Sequence, residues 1–225
     1  MLFYPSVIMA SNASGAYNAA KKGFIVAVVD VIDMSTSAEA VLEMGAVGIY
    51  GASPTGLKVP VPVNPEGIGY AAGKHALERG TGVIIISEPR VGTEEERRKR
   101  CNPVIEGINR AGAKILKIVP NLGAETAKLA NFDGRVVVAV TDSGGAAFDA
   151  AFNAGAQVFT ATVARTLGKK GKEAAAAGVR RICVEAKRHR KNIAVVAASS
   201  NALEDLLAAQ YIYNLIVEEG FLRSV

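Results

Sequence analysis

The sequence predicts an α/β fold: a three-layer α/β/α arrangement around a mostly parallel sheet, with residues 1–225 forming one domain. Three observations predict it. Short β-branched runs at 24–29, 83–86, 135–140 (after its opening Arg135) and 193–197 are continuously apolar rather than alternating, the pattern of strands buried on both faces. Polar turns and helical patterns follow them, and Gly-Ala pairs (Gly45-Ala46, Gly112-Ala113, Gly155-Ala156) stop the helices before the next strand. The chain has 225 residues, half of them hydrophobic, which is ample for one large core.

The elements follow in order. Leu2-Phe3-Tyr4 is a short apolar opening, and a weak helical pattern covers 13–22. The strand 24–29 ends at Asp30, then come Asp33, the hydroxyl run Ser35, Thr36 and Ser37, and a helix opening at Ala38. A strand is predicted over 47–50. Residues 51–65 contain four prolines and two glycines, so they read as a long surface loop of the kind that often carries function. A helix over 67–79 and the strand 83–86 lead to Ser87-Glu88-Pro89-Arg90. Thr93 and Glu96 form a capping box for a helix running towards 109, which Pro103 kinks or splits. Strands follow at 114–119 and 135–140, the second ending at Thr141-Asp142-Ser143-Gly144-Gly145. A helix over 146–153, a strand over 158–161, a helix over 165–177 and a strand over 181–186 come next, with Gly178 read as the stop between the last two. The strand 193–197 then meets Ser199-Ser200-Asn201, which caps a final helix over 202–219.

Residues 23–46 match 134–156 with one gap, placing Asp30 opposite Thr141 and Glu39 opposite Asp149. Internal duplication is one reading of this match, and simple α/β periodicity is the other.

Composition narrows the function classes. Cys101 and Cys183 have no metal spacing and no near partner, as in a reduced, cytoplasmic protein. His75 and His189 give no zinc signature. A net charge of +5 suits an anionic ligand without implying nucleic acid, and the basic runs at 97–100, 169–172 and 187–191 read as solvated faces. No run is long enough to cross a membrane, and the N-terminus lacks a basic leader segment. No G-x-G-x-x-G follows a strand, and the Walker A and G-x-S-x-G motifs are absent. Tryptophan is missing, which leaves little material for stacking bases.

Ligands of parallel α/β sheets bind at the carboxyl ends of the strands. That rule gathers Asp30 with Ser35, Thr36 and Ser37, then Glu88 with Arg90, Thr141 and Asp142 with Ser143, Gly144 and Gly145, and finally Ser199 with Ser200 and Asn201. Acids, hydroxyls, an arginine and a glycine turn together suit phosphoryl chemistry. Carboxylates can hold a divalent cation, an arginine can hold phosphate oxygens, and glycines let the backbone approach an anion. Asp30 and Glu88 are the predicted catalytic residues. Ser35, Thr36, Ser37, Arg90, Ser143, Gly144, Gly145 and Asn201 are the predicted substrate contacts, and Asp30, Asp33 and Asp142 the predicted Mg²⁺ ligands. The plainer alternative is that these are ordinary caps and turns, with Asp33 or Ser35 an N-cap.

The ordered set Asp30-Val31-Ile32-Asp33-Met34-Ser35-Thr36-Ser37, Ser87-Glu88-Pro89-Arg90, Cys101-Asn102-Pro103, Thr141-Asp142-Ser143-Gly144-Gly145 and Leu203-Glu204-Asp205 resembles the 2-phosphosulfolactate phosphatase family of coenzyme M biosynthesis, over about residues 23–216. The resemblance implies Mg²⁺-dependent hydrolysis of a phosphate ester on a small sulfonated hydroxy acid. It implies Asp30 at the metal or the phosphoryl group, the three hydroxyls on anionic oxygens, and Glu88 with Glu204 or Asp205 completing the rim. Asp33 stands where the family carries arginine, and Ser143-Gly144-Gly145 where it carries Asn-Gly-Thr. The expected protein is therefore a phosphatase acting on a small anionic substrate, away from nucleic acid and membranes and compatible with homo-oligomer formation. The alternative is a non-catalytic binding or regulatory protein on the same frame.

Overall fold

The computed structural model describes residues 3–223. Leu2 of the apolar opening lies outside them. Among the described residues the order is β1 (Val7–Ser11), α1 (Asn12–Lys21), β2 (Ile25–Val29), α2 (Ser35–Glu43), β3 (Gly48–Ala52), α3 (Pro65–Glu78), β4 (Val83–Ser87), α4 (Glu94–Arg100), α5 (Asn102–Ala111), β5 (Ile115–Pro120), β6 (Val136–Val140), α6 (Gly144–Asn153), β7 (Val158–Thr160), α7 (Lys172–His189), β8 (Ile193–Ala197) and α8 (Leu203–Glu218). A 3₁₀ helix, Gly123–Lys128, lies between β5 and β6.

The strands form two parallel four-stranded sheets, ordered β1-β8-β2-β7 and β3-β6-β4-β5, interleaved with helices as in a three-layer α/β/α fold. The central strands β2, β8, β4 and β6 are buried at every position, and these are the four continuous apolar runs of the sequence. The edge strands β1, β3, β5 and β7 are mixed in both burial and composition. Ile25, Ala27 and Val29 of β2 pack with α7 and α8, whereas Val26 and Val28 face the core shared with the second sheet.

The chain passes from the first sheet to the second through β2-α2-β3 and returns through β6-α6-β7. The strand that begins each unit pairs with the strand that ends the other, β2 with β7 and β6 with β3. The segments that match in sequence cover the strand and helix of each unit, β2-α2 and β6-α6, so the match has a topological counterpart.

Three expectations change. Residues 181–186 are not a strand, and no helix covers 165–171. The 18-residue α7 instead runs straight through Gly178. Its buried positions Ala175, Gly178, Val179, Ile182, Cys183 and Ala186 recur at helical spacing, although the short apolar run Ile182-Cys183-Val184 reads locally like a buried strand. Gly178 gives close approach, since a Cβ there would stand 3.0 Å from Ala161 Cβ. The N-terminal region also holds a strand, β1, which pairs with β8. The proline-rich stretch after β3 is a strap: Leu57, Val59, Val61 and Val63 turn inward onto Ala13, Tyr17, Ala146 and Ala150 of α1 and α6. Pro103 splits its helix, with Cys101 between α4 and α5.

Helices α3 and α5 pack through facing glycines. A Cβ on Gly69 would collide with the Val104 carbonyl, and one on Gly107 with the Glu66 carbonyl. Gly107→Ala should therefore lower the unfolding free energy by about 2–3 kcal/mol, the upper part of the overpacking range, through forced separation of two backbones. Urea denaturation measures it; a midpoint unchanged from the native protein contradicts this packing.

Candidate functional site

Asp30 stands one residue beyond β2 and is 2% exposed. Its own N–H donates to Ser35 Oγ (2.8 Å), and Ser35 Oγ donates to the Val28 carbonyl (3.0 Å), which fixes the turn. Asp30 Oδ1 accepts the Asp33 N–H and Oδ2 accepts the Ser143 hydroxyl, both at 2.8 Å. Burial raises the Asp30 pKa above the ordinary carboxylate value, against the hydrogen bonds from Asp33, Ser143 and Gly144 that lower it; the Asp33 charge adds to the rise.

Charged groups collect beside it. Arg90 donates to Asp33 Oδ1 (3.0 Å) and to the Ile32 carbonyl (2.9 Å). Arg100 donates to Asp142 Oδ1 (2.7 Å) and stands 3.8 Å from Glu88 Oε2. Burial raises the Glu88 pKa, as do the charges of Asp33 and Asp142, while Arg100 and Arg90 oppose the shift. Asp205, in the first turn of α8, accepts the Val31 N–H at 2.9 Å. Its pKa is raised to about 6, first by burial and then by the charge of Asp30, with the Val31 and Ser199 N–H groups pulling the other way.

The structure thus brings Asp30, Asp33, Glu88, Arg90, Asp142, Ser143 and Gly144 to one rim. The other predicted residues are engaged differently. The Ser35, Thr36 and Ser37 hydroxyls are buried and held by the fold: Ser35 as above, Thr36 Oγ1 on the Val31 carbonyl and beside Thr162, and Ser37 on Asn121. Met34 occupies the N-cap position of α2, so neither Asp33 nor Ser35 is that cap. The anion that Gly144 approaches is the Asp30 carboxylate itself, where a Cβ would collide, and Gly145 abuts the Ala52 carbonyl. Asn201 is exposed, with its N–H on Ser199 Oγ (3.1 Å); among the described residues no hydrogen bond joins it to the rim.

Three participants escaped the sequence analysis. Arg100 lies in a basic run read as a solvated face. Its neighbour Arg97 is itself buried, donating to the Pro89 and Gly92 carbonyls at 3.0 and 3.1 Å and so holding the loop that carries Arg90. Asn121 is fully buried, donates to the Asp33 carbonyl and accepts from Ser37. It directly follows β5, so the strand-end rule applied to that strand would have found it.

A pocket of about 230 Å³ opens beside Ser143, lined by Asn12, Ser14, Val59, Asp142 and Ala198 among others. Asn12 holds a left-handed φ of 57°, and its Oδ1 accepts the N–H groups of Ser14 and Gly15 at 3.0 and 3.3 Å.

The carboxylates do not fit a resident Mg²⁺ ion as they stand. Among the described residues no three His, Cys, Asp or Glu side chains converge as a metal group. Asp30 is held by an N–H and a hydroxyl, Asp33 by Arg90 and Asp142 by Arg100. A hard cation needs several free oxygens around one point.

No protein-family model matches the chain, and no curated protein matches it in sequence. No helix among the described residues is long and apolar enough to cross a membrane. The structure by itself defines an α/β protein with a rim of carboxylates and arginines at the carboxyl ends of its strands.

The raised Asp205 pKa sets a pH dependence. The folded state binds this proton more tightly than the unfolded chain, whose aspartates titrate near pH ~3.9. Its stabilisation is complete below that pH and is lost as pH rises towards 6. Asp205→Asn retains an acceptor for Val31 and removes the titration. Between pH 4 and 7 its melting temperature should therefore rise relative to that of the native protein. Parallel melting curves across this interval contradict the assignment.

Proposed function

We propose that the rim binds and hydrolyses a small anionic phosphate ester of the 2-phosphosulfolactate type, with Ser143 as nucleophile and Asp30 as base. One observation carries this reading: the Ser143 hydroxyl donates to the buried Asp30 carboxylate at 2.8 Å, beside a pocket of about 230 Å³. A hydroxyl paired with a carboxylate is the arrangement of a nucleophile with its general base, and the raised pKa of Asp30 makes it the stronger base. Ser143 Oγ attacks phosphorus, its proton passes to Asp30 Oδ2, and the phosphorus–oxygen bond to the ester oxygen breaks. Asp30 returns the proton to the departing oxygen. It then takes a proton from the water that attacks the phosphoserine and passes it to Ser143 Oγ as the bond from phosphorus to that oxygen breaks, which restores the serine hydroxyl and the carboxylate and releases inorganic phosphate. Ser143 immediately precedes α6, so developing phosphoryl charge lies near the positive end of that helix. Arg90 and Arg100 supply the nearby cationic groups, and no metal ion enters these steps.

A second reading, binding without turnover, rests on the same site. Arg90 and Arg100 are already paired with Asp33 and Asp142, so an arriving anion competes with carboxylates of the protein.

Phosphate release from a panel of small phosphoesters, with and without added Mg²⁺, tests the proposal. Asp30→Asn and Ser143→Ala should each lower kcat by about 100-fold or more, the usual scale for loss of an acid–base or nucleophilic group. For the native protein, kcat should rise with pH as Asp30 ionises through its raised pKa. Full activity in Ser143→Ala refutes the nucleophile. No turnover on any ester, together with a rise in melting temperature on adding inorganic phosphate, selects binding alone.

A further inference from the structure

A second pocket, about 490 Å³ in volume, lies between α8 and the start of α7, outside the chemistry described above. Its walls are apolar: Val31, Val163, Leu207 and Tyr211 face it. Two charged side chains of opposite sign border it, Lys172 at the first position of α7 and Glu204 in the first turn of α8. These two do not pair with each other. Lys172 Nζ stands 3.8 Å from Glu218 Oε2, and among the described residues the Glu204 side chain has no ion-pair or hydrogen-bond partner. Leu207 is 61% exposed and Tyr211 40%, an unusual amount of bare apolar surface for neighbouring positions on one helix.

An apolar cleft of this size with a few placed polar groups is the ordinary form of a small-molecule site, for which volumes run from about 300 to 1,000 Å³. The charge pattern narrows the ligand. A simple organic anion would be drawn to Lys172 and repelled by Glu204, and a simple amine the reverse. A zwitterion satisfies both, and its apolar body removes Leu207 and Tyr211 from water. We propose that this pocket binds a free apolar α-amino acid, its carboxylate on Lys172, its ammonium on Glu204 and its side chain between Val31, Val163, Leu207 and Tyr211. The site is independent of the phosphoryl chemistry proposed for the rim, although Val31 borders both through its N–H bond to Asp205.

Isothermal titration with three probes tests this: L-phenylalanine, 3-phenylpropionate, which lacks the ammonium, and phenethylamine, which lacks the carboxylate. L-Phenylalanine should bind with one-to-one stoichiometry, and each truncated probe about tenfold or more weaker, the loss expected for one charge-assisted contact. Glu204→Gln should weaken L-phenylalanine by a similar factor without weakening 3-phenylpropionate, and Lys172→Gln should spare phenethylamine in the same way. Leu207→Arg, at an exposed helix position, should abolish binding of all three while the melting temperature stays near that of the native protein. Equal affinity for L-phenylalanine and 3-phenylpropionate overturns the proposal, as does unchanged binding in Leu207→Arg. If L-phenylalanine gives no heat and sedimentation shows a dimer that Leu207→Arg dissociates, the apolar face belongs to a second copy of the chain and the proposal fails.

Discussion

The two sheets meet at a buried carboxylate. Asp30 extends from β2 of the first sheet, while Ser143 and Gly144 follow β6 of the second, and the 2.8 Å bond from Ser143 to Asp30 ties the two strand ends together. A carboxylate at 2% exposure is unfavourable unless donors surround it, and here the N–H groups of Asp33 and Gly144 and the Ser143 hydroxyl do so. Their hydrogen bonds do not outweigh the loss of solvent, so the pKa stays raised. The residue that joins the sheets therefore also has a raised proton affinity, as Glu88 and Asp205 beside it do. Gly144 follows from the same constraint: any side chain there would occupy the space of the Asp30 carboxylate.

The two crossing units, β2-α2-β3 and β6-α6-β7, place comparable residues in comparable positions and use them differently. Asp149 of α6 accepts the N–H groups of Ser53 and Asn64 at 3.1 and 2.6 Å, pinning both ends of the strap that covers α1 and α6. Its counterpart Glu39 of α2 accepts the Thr160 hydroxyl at 2.7 Å and Arg181 at 2.5 Å, which binds α7 to β7. At the strand ends, Thr141 receives the Gly145 N–H where Asp30 receives that of Asp33. At this pair of matched positions a neutral hydroxyl stands on the β6 side and a carboxylate on the β2 side.

Much of this was legible in the sequence, for physical reasons that differ between elements. Strands buried on both faces must be apolar throughout, so β2, β4, β6 and β8 were plain; β1, half-covered at an edge, carried no such signature. Helix α7 misled because the short apolar run Ile182-Cys183-Val184 cannot be told from a buried strand locally, and only the longer window from Ala175 to Ala186 shows the helical period. The strand-end rule located Asp30, Glu88 and Asp142 together because a parallel sheet sends every carboxyl end the same way. It could not say which side chains face outward. The Ser35, Thr36 and Ser37 hydroxyls turn inward because the tight turn after β2 leaves polar groups that need internal partners. Arg100 was hidden for the opposite reason: a charge run on a short helix normally faces water, and only the placement of α4 against the rim gives its last residue a partner there.

The position of Asp33 bears most directly on what the rim can hold. An aspartate beside the Asp30 turn adds negative charge where the proposed phosphate ester would bind. In the folded protein Asp33 is paired with Arg90, from the loop after β4, and Asp142 with Arg100, from the end of α4. Each added carboxylate thus stands beside a guanidinium drawn from another element. A guanidinium has five donors in a planar fork and engages one carboxylate oxygen with only part of them. Both arginines are about one-third or more exposed, so donors other than the buried, unpartnered Arg100 Nε can meet solvent and a ligand. Asp33 and Asp142 then orient the cationic groups as much as they neutralise them, and an anion at the rim meets fixed guanidinium groups instead of mobile ones. If the rim binds an anion as proposed, Arg90 and Arg100 are the groups that meet it, and their pairing gives them more geometric restraint and less net positive charge than an unpaired arginine would have.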